Sequence, residues 1–139
     1  MARIQRQLAR LALTLLLIAG CGVEPIALPG GTVVTGQWNA AHLALSLDTS
    51  GGITEYDCAH GALSAPLVLD ALGRFDVSGV HVRERGGPVR EGELADTRSA
   101  RYFGRHESGV LTLRVVIDAD TLGPFLLRRD APTQLTKCL

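Results

Sequence analysis

The segment 55–61 gathers side chains suited to acid–base chemistry. It contains two carboxylates, Glu55 and Asp57, with Tyr56 and His60 beside them. Alternate residues of an extended chain share a face, so the two carboxylates lie on one face and Tyr56 lies on the other. A carboxylate pair near a histidine could act as general acid and base. Two acids on a solvent-exposed face explain the same residues without chemistry, and we predict that the protein is not an enzyme.

The histidines of the chain lack the close spacing of a metal site. His81 and Glu84 fall on opposite faces of one predicted strand, which is wrong for a shared ligand sphere. No motif pairs His or Cys at the short separations that zinc requires, so we predict no metal and no cofactor. His42 and His81 could still converge inside a barrel, an arrangement that a period of two does not exclude, and both are candidates for ligand binding.

Further candidates for ligand binding are aromatic or basic. Trp38 is the single tryptophan of the chain. Arg101 and Tyr102 belong to a basic cluster that follows the polar segment 84–99, and such a cluster could receive a carboxylate. Its arginines, Arg101 and Arg105, could instead form surface ion pairs with Glu91, Glu93 or Asp96, which contribute little. The predicted ligand-binding candidates are Trp38, His42, Tyr56, His81, Arg101 and Tyr102.

The N-terminus carries an export signal. Residues 1–10 contain three Arg and no acid, and residues 11–19 are almost wholly apolar, which is typical of a secretory signal. The apolar run is too short to cross a ~30 Å hydrocarbon core as a helix, which takes about 20 residues. It ends in Ile18-Ala19-Gly20-Cys21, which resembles the lipobox of bacterial lipoproteins.

The lipobox resemblance implies that Cys21 is lipidated. In that family a diacylglycerol is attached to the sulfur, the chain is cleaved before the cysteine, and the new amino group is acylated. Several acyl chains hold a protein firmly, since each buried methylene contributes ~0.8 kcal/mol. The expected organisation is a helical signal peptide over 1–20, a lipidated tether over 21–31 and a single domain over 32–139. The domain would face the periplasm or the exterior from the cell membrane or outer membrane; Gly22, where an Asp would signal inner-membrane retention, favours the outer one.

The apolar period of two after residue 32 predicts an all-β domain. It is clearest at 43–47 and 110–117, where leucine and valine alternate with polar or small residues. A slip of the apolar phase at Gly79 predicts a bulge, and the polar, Gly-rich segment 84–99 predicts one long exposed loop. Further strands are expected at 32–38, 52–58, 66–70, 74–83, 100–106, 123–129 and 133–138.

Short strands joined by turns favour a small antiparallel meander barrel of lipocalin or avidin size. A β-sandwich, with 84–99 crossing between its sheets, is the alternative. After lipidation of Cys21, an even pair of cysteines remains, Cys58 and Cys138. An exported protein meets an oxidising compartment, so we predict a disulfide between them.

Two resemblances concern the domain itself. Gly36-Gln37-Trp38 is similar to the G-x-W of lipocalins and avidins, which implies a Trp that closes one end of a barrel. Over residues 36–139, the order of W-x3-H, E-Y-D-C-A-x-G, G-R-F, G-G-P, A-R-Y-x-G, L-T-L and K-C-L resembles a group of small secreted bacterial β domains. That likeness implies a recurring domain and supports the cysteine pair, but it carries no activity.

The charge balance excludes one class of partner. Loss of the three leader arginines leaves 11 basic and 14 acidic residues, a net charge of −3, so we predict no nucleic-acid binding. The expected function is non-enzymatic binding of a small ligand or of an envelope protein by a membrane-anchored domain. An inhibitor or assembly factor that acts through 84–99 is the alternative. A small hydrolase-like enzyme built on Glu55, Asp57 and His60 is the third hypothesis.

Replacement of Cys21 by serine tests the anchor. We expect the Cys21→Ser protein to leave the membrane fraction and to incorporate no labelled fatty acid, because serine offers no sulfur for the diacylglycerol. Fractionation and metabolic lipid labelling measure both. A variant that stays membrane-bound would contradict the lipobox assignment.

Overall fold

The computed structural model describes residues 31–88 and 90–138. The predicted signal peptide, Cys21 and nearly all of the tether lie outside these ranges. The described residues form ten strands and no helix, and among them no helix is long and apolar enough to cross a membrane. The strands are β1 (Thr32–Val33), β2 (Gly36–Ala40), β3 (Leu43–Leu47), β4 (Gly52–Tyr56), β5 (Ala59–Leu63), β6 (Val68–Leu69), β7 (Arg74–Arg83), β8 (Asp96–Glu107), β9 (Val110–Ile117) and β10 (Asp120–Arg129).

Eight of these strands close into an antiparallel barrel. Its order is β2-β3-β4-β5-β7-β8-β9-β10, and β10 pairs back with β2. Strands β1 and β6 form a separate two-stranded sheet. Consecutive barrel strands are neighbours throughout, so the small meander barrel predicted from the sequence is confirmed and the sandwich alternative is wrong.

The two ends of the barrel differ. One end, here called the mouth, carries the β2–β3, β4–β5 and β9–β10 turns together with the 84–95 connection. The other, here called the closed end, carries the β3–β4 and β8–β9 turns and the β1–β6 sheet. Because β1 precedes the barrel, the chain enters at the closed end.

The barrel interior is filled by side chains at alternate strand positions. Leu43, Leu45, Leu111 and Leu127 are fully buried, and each buried leucine stabilises the fold by about 2 kcal/mol. Apolar residues buried in this core are Val34, Trp38, Leu43, Leu45, Leu47, Tyr56, Ala59, Leu63, Leu67, Leu69, Phe75, Val77, Ala100, Tyr102, Leu111, Leu113, Val115 and Leu127.

Trp38 fills the closed end, as the resemblance to lipocalins and avidins implies. Its indole Nε1 donates to the carbonyl of Thr35 at 3.2 Å. The guanidinium of Arg129 lies over the ring at 4.9 Å from its centre, and His106 meets it edge-on at 5.5 Å. An arginine over an indole is a favourable cation–π contact, so first and last barrel strands are joined by side chains as well as by backbone.

The bulge expected at Gly79 is absent. Strand β7 pairs with β8 in unbroken register from Arg74↔Arg105 to Arg83↔Asp96. Gly79 faces inward in phase with its strand, and a Cβ there would collide with the carbonyl oxygen of Ala62 and the ring of Tyr102. The glycine therefore makes room for Tyr102 and does not reset the phase.

The register shift of the barrel lies in β10 instead. It falls between Leu122 and Phe125, where Gly123 has a φ of 92°. An extra residue moves the inward positions from even to odd numbers. As a result Leu122, Phe125 and Leu127 all lie on the inner side.

The strand prediction is wrong at three places: one strand is missing from it, one predicted strand is too long, and one is not a strand. Strand β5 was not predicted, because its inward residues Ala59 and Gly61 are too small to show an apolar alternation. The predicted strand 52–58 ends at Tyr56, since Asp57 and Cys58 form the turn into β5. The predicted strand 133–138 is an irregular tail.

The predicted 84–99 loop is shorter than expected. Strand β8 starts at Asp96, so the connection covers 84–95. Both faces of β8 are polar near the mouth, where Arg98 binds Asp96 at 3.0 Å and Asp118 at 2.6 Å. A strand whose two faces are both exposed to solvent shows no alternation of apolar and polar residues.

The predicted disulfide is confirmed. Cys58, in the β4–β5 turn, is bonded to Cys138, with 4.9 Å between the Cα atoms. The cross-link spans 80 residues of sequence, for which the chain-entropy account gives about 4.5 kcal/mol. It fixes the end of the tail to the mouth.

An alanine at position 79 tests the packing around Tyr102. We expect Gly79→Ala to lower the free energy of unfolding by about 1–3 kcal/mol, because the added methyl overpacks the interior. Ser78→Ala, on the outer face of the same strand, should change it by less than about 0.5 kcal/mol. Urea unfolding of both variants measures the difference, and equal stabilities would contradict the packing described.

Candidate functional site

A cavity of about 540 Å³ opens at the mouth of the barrel. Five segments surround it: the β2–β3 turn, the β4–β5 turn, the end of β7, the start of β10 and the end of the C-terminal tail. Its lining is His42, Tyr56, Asp57, Cys58, Ala59, His81, Arg83, Glu84, Leu122, Phe125 and Cys138. Three of the residues predicted to bind a ligand, His42, Tyr56 and His81, therefore meet at one site.

Strand alternation explains why these side chains converge. Tyr56 and His81 occupy inward positions near the mouth ends of β4 and β7. Leu122 and Phe125 belong to one strand, and they share the inner side because of the register shift between them. The cavity wall is thus mostly apolar and aromatic, with a few polar groups.

Aromatic rings form the floor of the cavity. The ring of Tyr56 lies 5.2 Å from that of His81 and 6.1 Å from that of Phe125, both in inclined geometry. His81 Nδ1 is buried and has no hydrogen-bond partner among the described residues, whereas the Tyr56 hydroxyl lies beside the hydroxyls of Thr54 and Tyr102. Buried polar atoms are usually paired, so an unpaired imidazole nitrogen in a residue that lines the cavity favours a ligand-binding floor.

Tyr102 lies below this floor and not in the cavity. It is fully buried, and its hydroxyl donates to the carbonyl of Val80 at 2.7 Å. Gly61 on β5 provides the space, since a Cβ there would meet the hydroxyls of Tyr102 and Thr54. The prediction of Tyr102 as a ligand contact is therefore not supported; the residue is a structural support for the floor.

Burial controls the protonation of the floor. Burial raises the pKa of Tyr56 well above its ordinary value of 10.0, and the neighbouring Tyr102 adds to the effect. The Tyr56 hydroxyl thus keeps its proton at neutral pH. Burial lowers the pKa of His81 below its ordinary 6.5, and the charge of Arg83 acts in the same direction. The floor is therefore uncharged at neutral pH.

Charged residues at the rim are mostly paired. Asp57 binds His42 Nδ1 at 2.8 Å. Glu84 binds His60 Nδ1 at 2.9 Å and Lys137 Nζ at 3.2 Å. The hydrogen bond from His60 lowers the pKa of the Glu84 carboxyl, which stays ionised at neutral pH.

The C-terminal tail forms part of the rim. After β10 it runs back along β2, where the Asn39 side chain donates to the carbonyl of Ala131 at 2.7 Å. Thr133 Oγ1 donates to the carbonyl of Ala40 at 2.7 Å. The backbone N–H of Thr136 donates to Asp57 at 2.7 Å, two residues before the disulfide. These bonds hold the β2–β3 and β4–β5 turns in place.

Two predicted ligand contacts lie elsewhere. Trp38 is at the closed end. Arg101 is on the outer wall, where its guanidinium binds both carboxylate oxygens of Asp76 and lies over the ring of Phe103 at 5.5 Å. Arg105 binds Glu107 at 3.1 Å. The predicted pairing of these arginines with the 84–99 segment is therefore wrong, because that segment lies at the mouth and the pairs form locally along β7 and β8.

The proposed catalytic group does not assemble in a cleft. Glu55 and His60 are cross-strand partners, but Glu55 binds Lys137 at 2.5 Å, His60 binds Glu84 and Asp57 binds His42. Each of the three residues thus binds a group outside the proposed set, and Lys137 is shared by Glu55 and Glu84. Among the described residues, no group of three or more His, Cys, Asp or Glu side chains could hold a metal ion.

Sequence reasoning missed Arg83, Leu122 and Phe125. Arg83 is one of many arginines and gives no local signal. Leu122 and Phe125 are three apart, so a strict period of two places them on opposite faces. The Gly123-Pro124 pair between them was the available sign of an irregular strand.

Comparison with known proteins adds no family: no family profile, curated protein or solved structure matches this chain.

The buried imidazole of His81 makes stability depend on pH. Above pH 6.5 it is neutral in the folded and unfolded chain. Below pH 6.5 the unfolded chain binds a proton at His81 that the folded chain does not, because burial disfavours the charged imidazole. The free energy of unfolding therefore decreases as the pH decreases. We expect the melting temperature to drop from about pH 7.5 to about 5.5 and the drop to be smaller in His81→Gln. Calorimetry at both pH values measures it; equal drops in both proteins would contradict the burial of His81.

Proposed function

We propose that the protein is a lipid-anchored envelope protein whose barrel mouth binds a small molecule without chemical conversion. The observation that carries this proposal is the mouth cavity, with its aromatic floor and the unpartnered buried atom His81 Nδ1. Concave, mostly apolar sites with a few polar groups are the usual form of ligand pockets. At the closed end, Trp38 and Arg129 fill the barrel interior, and a groove of about 470 Å³ there lies beside β6 and the start of β7.

The dimensions and lining of the cavity limit the ligand. A volume of about 540 Å³ suits a molecule of one or two rings or a short chain. Phe125 and the ring of Tyr56 would contact an apolar body by stacking or edge contacts. His81 Nδ1 would gain the partner that it lacks, so a polar group on the ligand is favoured at the floor.

The path of the chain is compatible with a membrane anchor. The chain enters at the closed end, at Thr32, and a lipid on Cys21 is separated from it by ten residues, 22–31. Ten residues reach at most ~35 Å. The tether thus reaches the barrel at the end opposite to the mouth, which leaves the mouth open to the periplasm or the exterior, from the cell membrane or the outer membrane.

Binding of a partner protein through the 84–95 connection is the second candidate. Leu94 in this connection is 91% exposed. Together with Pro88 and Glu93, it borders a second groove of about 300 Å³. An exposed leucine beside a groove is a feature of protein contact sites. A protein that binds a partner in this way would act as an inhibitor or an assembly factor.

A matched pair of tryptophan variants tests the mouth as the binding site. The full chain in phosphatidylcholine nanodiscs is dialysed against 3-phenylpropan-1-ol, with empty nanodiscs as the blank. Leu122→Trp, which fills the mouth, should weaken binding by at least about tenfold. Leu126→Trp, on the outer face of the same strand where Leu126 is 62% exposed, should bind as the unmodified protein does. Equal affinities of the two variants would contradict the proposal.

A further inference from the structure

We infer that the ligand of the mouth is a small monocarboxylic acid with an apolar body, held by Arg83. This inference rests on the proposed function and names the ligand class of the same cavity. It depends on the distribution of charge around the rim, on the position of Arg83 and on the lining below it.

The two carboxylates that line the cavity, Asp57 and Glu84, are already bound by other side chains. His42 binds Asp57, and His60 and Lys137 bind Glu84. Arg83 also lines the cavity. No carboxylate among the described residues lies within ion-pair distance of it, that is, within 4.0 Å. Among the charged residues that line the cavity, Arg83 is thus the one with no ion-pair partner in the described residues.

The carboxylate nearest to Arg83 along the sheet belongs to Asp96, its cross-strand partner on β8, and a local ion pair between the two would be the ordinary outcome. Asp96 is instead held by Arg98 Nε at 3.0 Å, and Arg98 also binds Asp118. Asp96 is therefore paired with Arg98, and the Arg83 guanidinium is left without an ion-pair partner in the described residues.

Arg83 borders the mouth cavity and two adjoining grooves, one toward the 84–95 connection and one toward the β9–β10 turn. It occupies the last position of β7, two residues after His81 on the same inner side. A carboxylate in the cavity could therefore accept hydrogen bonds from the Arg83 guanidinium. Arginine is well suited to this role, since its planar fork matches a carboxylate.

The acidic side chains of the rim favour a ligand with a single negative charge. Asp57, Glu84 and Asp96 all lie near the rim, so a dianion such as a phosphate monoester would meet three acidic side chains. A monocarboxylate brings one charge to one free arginine. Its apolar body would extend toward Leu122 and Phe125, away from the carboxylates.

A matched acid and alcohol test this inference. The full chain in phosphatidylcholine nanodiscs is dialysed against 3-phenylpropionate and against 3-phenylpropan-1-ol, with empty nanodiscs as blanks. The two probes share one apolar body and differ in charge. The unmodified protein should bind the acid about tenfold more tightly. Arg83→Gln should lose this preference by weakening acid binding alone, whereas Arg114→Gln, on the exposed outer face of β9, should keep it.

The outcomes separate the two proposals. Equal affinity of the unmodified protein for acid and alcohol would overturn the inference and leave the mouth as a binding site. A preference for the acid that survives Arg83→Gln would also overturn it, because another cation would then hold the carboxylate. Absence of binding by either probe would remove the proposed function, and the inference with it.

Discussion

Closure of the sheet between β2 and β10 is the constraint on which the rest of the structure depends. In the described chain, two residue pairs join these strands, Asn39↔Arg128 and Trp38↔Arg129. This short seam is reinforced by the stacking of Arg129 on Trp38 and by the tail that continues along β2 to the disulfide. A closed barrel has no free strand edges and keeps its inner face from solvent. An open sheet would lose both the filled end and the β10 wall of the mouth.

The interior is divided by Tyr102. On its closed-end side the core consists of apolar side chains, many of them leucines. Tyr56 and His81 lie on its mouth side. Burial raises the pKa of Tyr56 and lowers that of His81, and both changes favour the neutral form of the side chain. Gly61 and Gly79 permit the arrangement, since side chains there would occupy the space of the Tyr102 ring or hydroxyl. The Tyr102 side chain thus occupies the space that the two glycines leave free, and it sets the depth of the cavity.

The sequence predicts the barrel well and the cavity in part. The apolar alternation at 43–47 and 110–117 is decisive, because each inward position there is filled by a leucine, a valine or an isoleucine. Strand β5 gave no such signal, since its inward residues are small where Tyr102 is large. His42, Tyr56 and His81 were predicted as ligand candidates and share the cavity. The unpaired state of Arg83 could not be predicted, because it depends on Asp96 binding Arg98, two residues further along the same strand, and not its cross-strand neighbour.

The most direct test of the account is an NMR titration of the full chain in phosphatidylcholine nanodiscs with 3-phenylpropionate. A barrel with one filled end and one binding end predicts that the ring signals of Tyr56 and His81 shift with the added acid while the indole N–H of Trp38 does not. Shifts at Trp38 without shifts at His81, or shifts confined to residues 84–95, would contradict it.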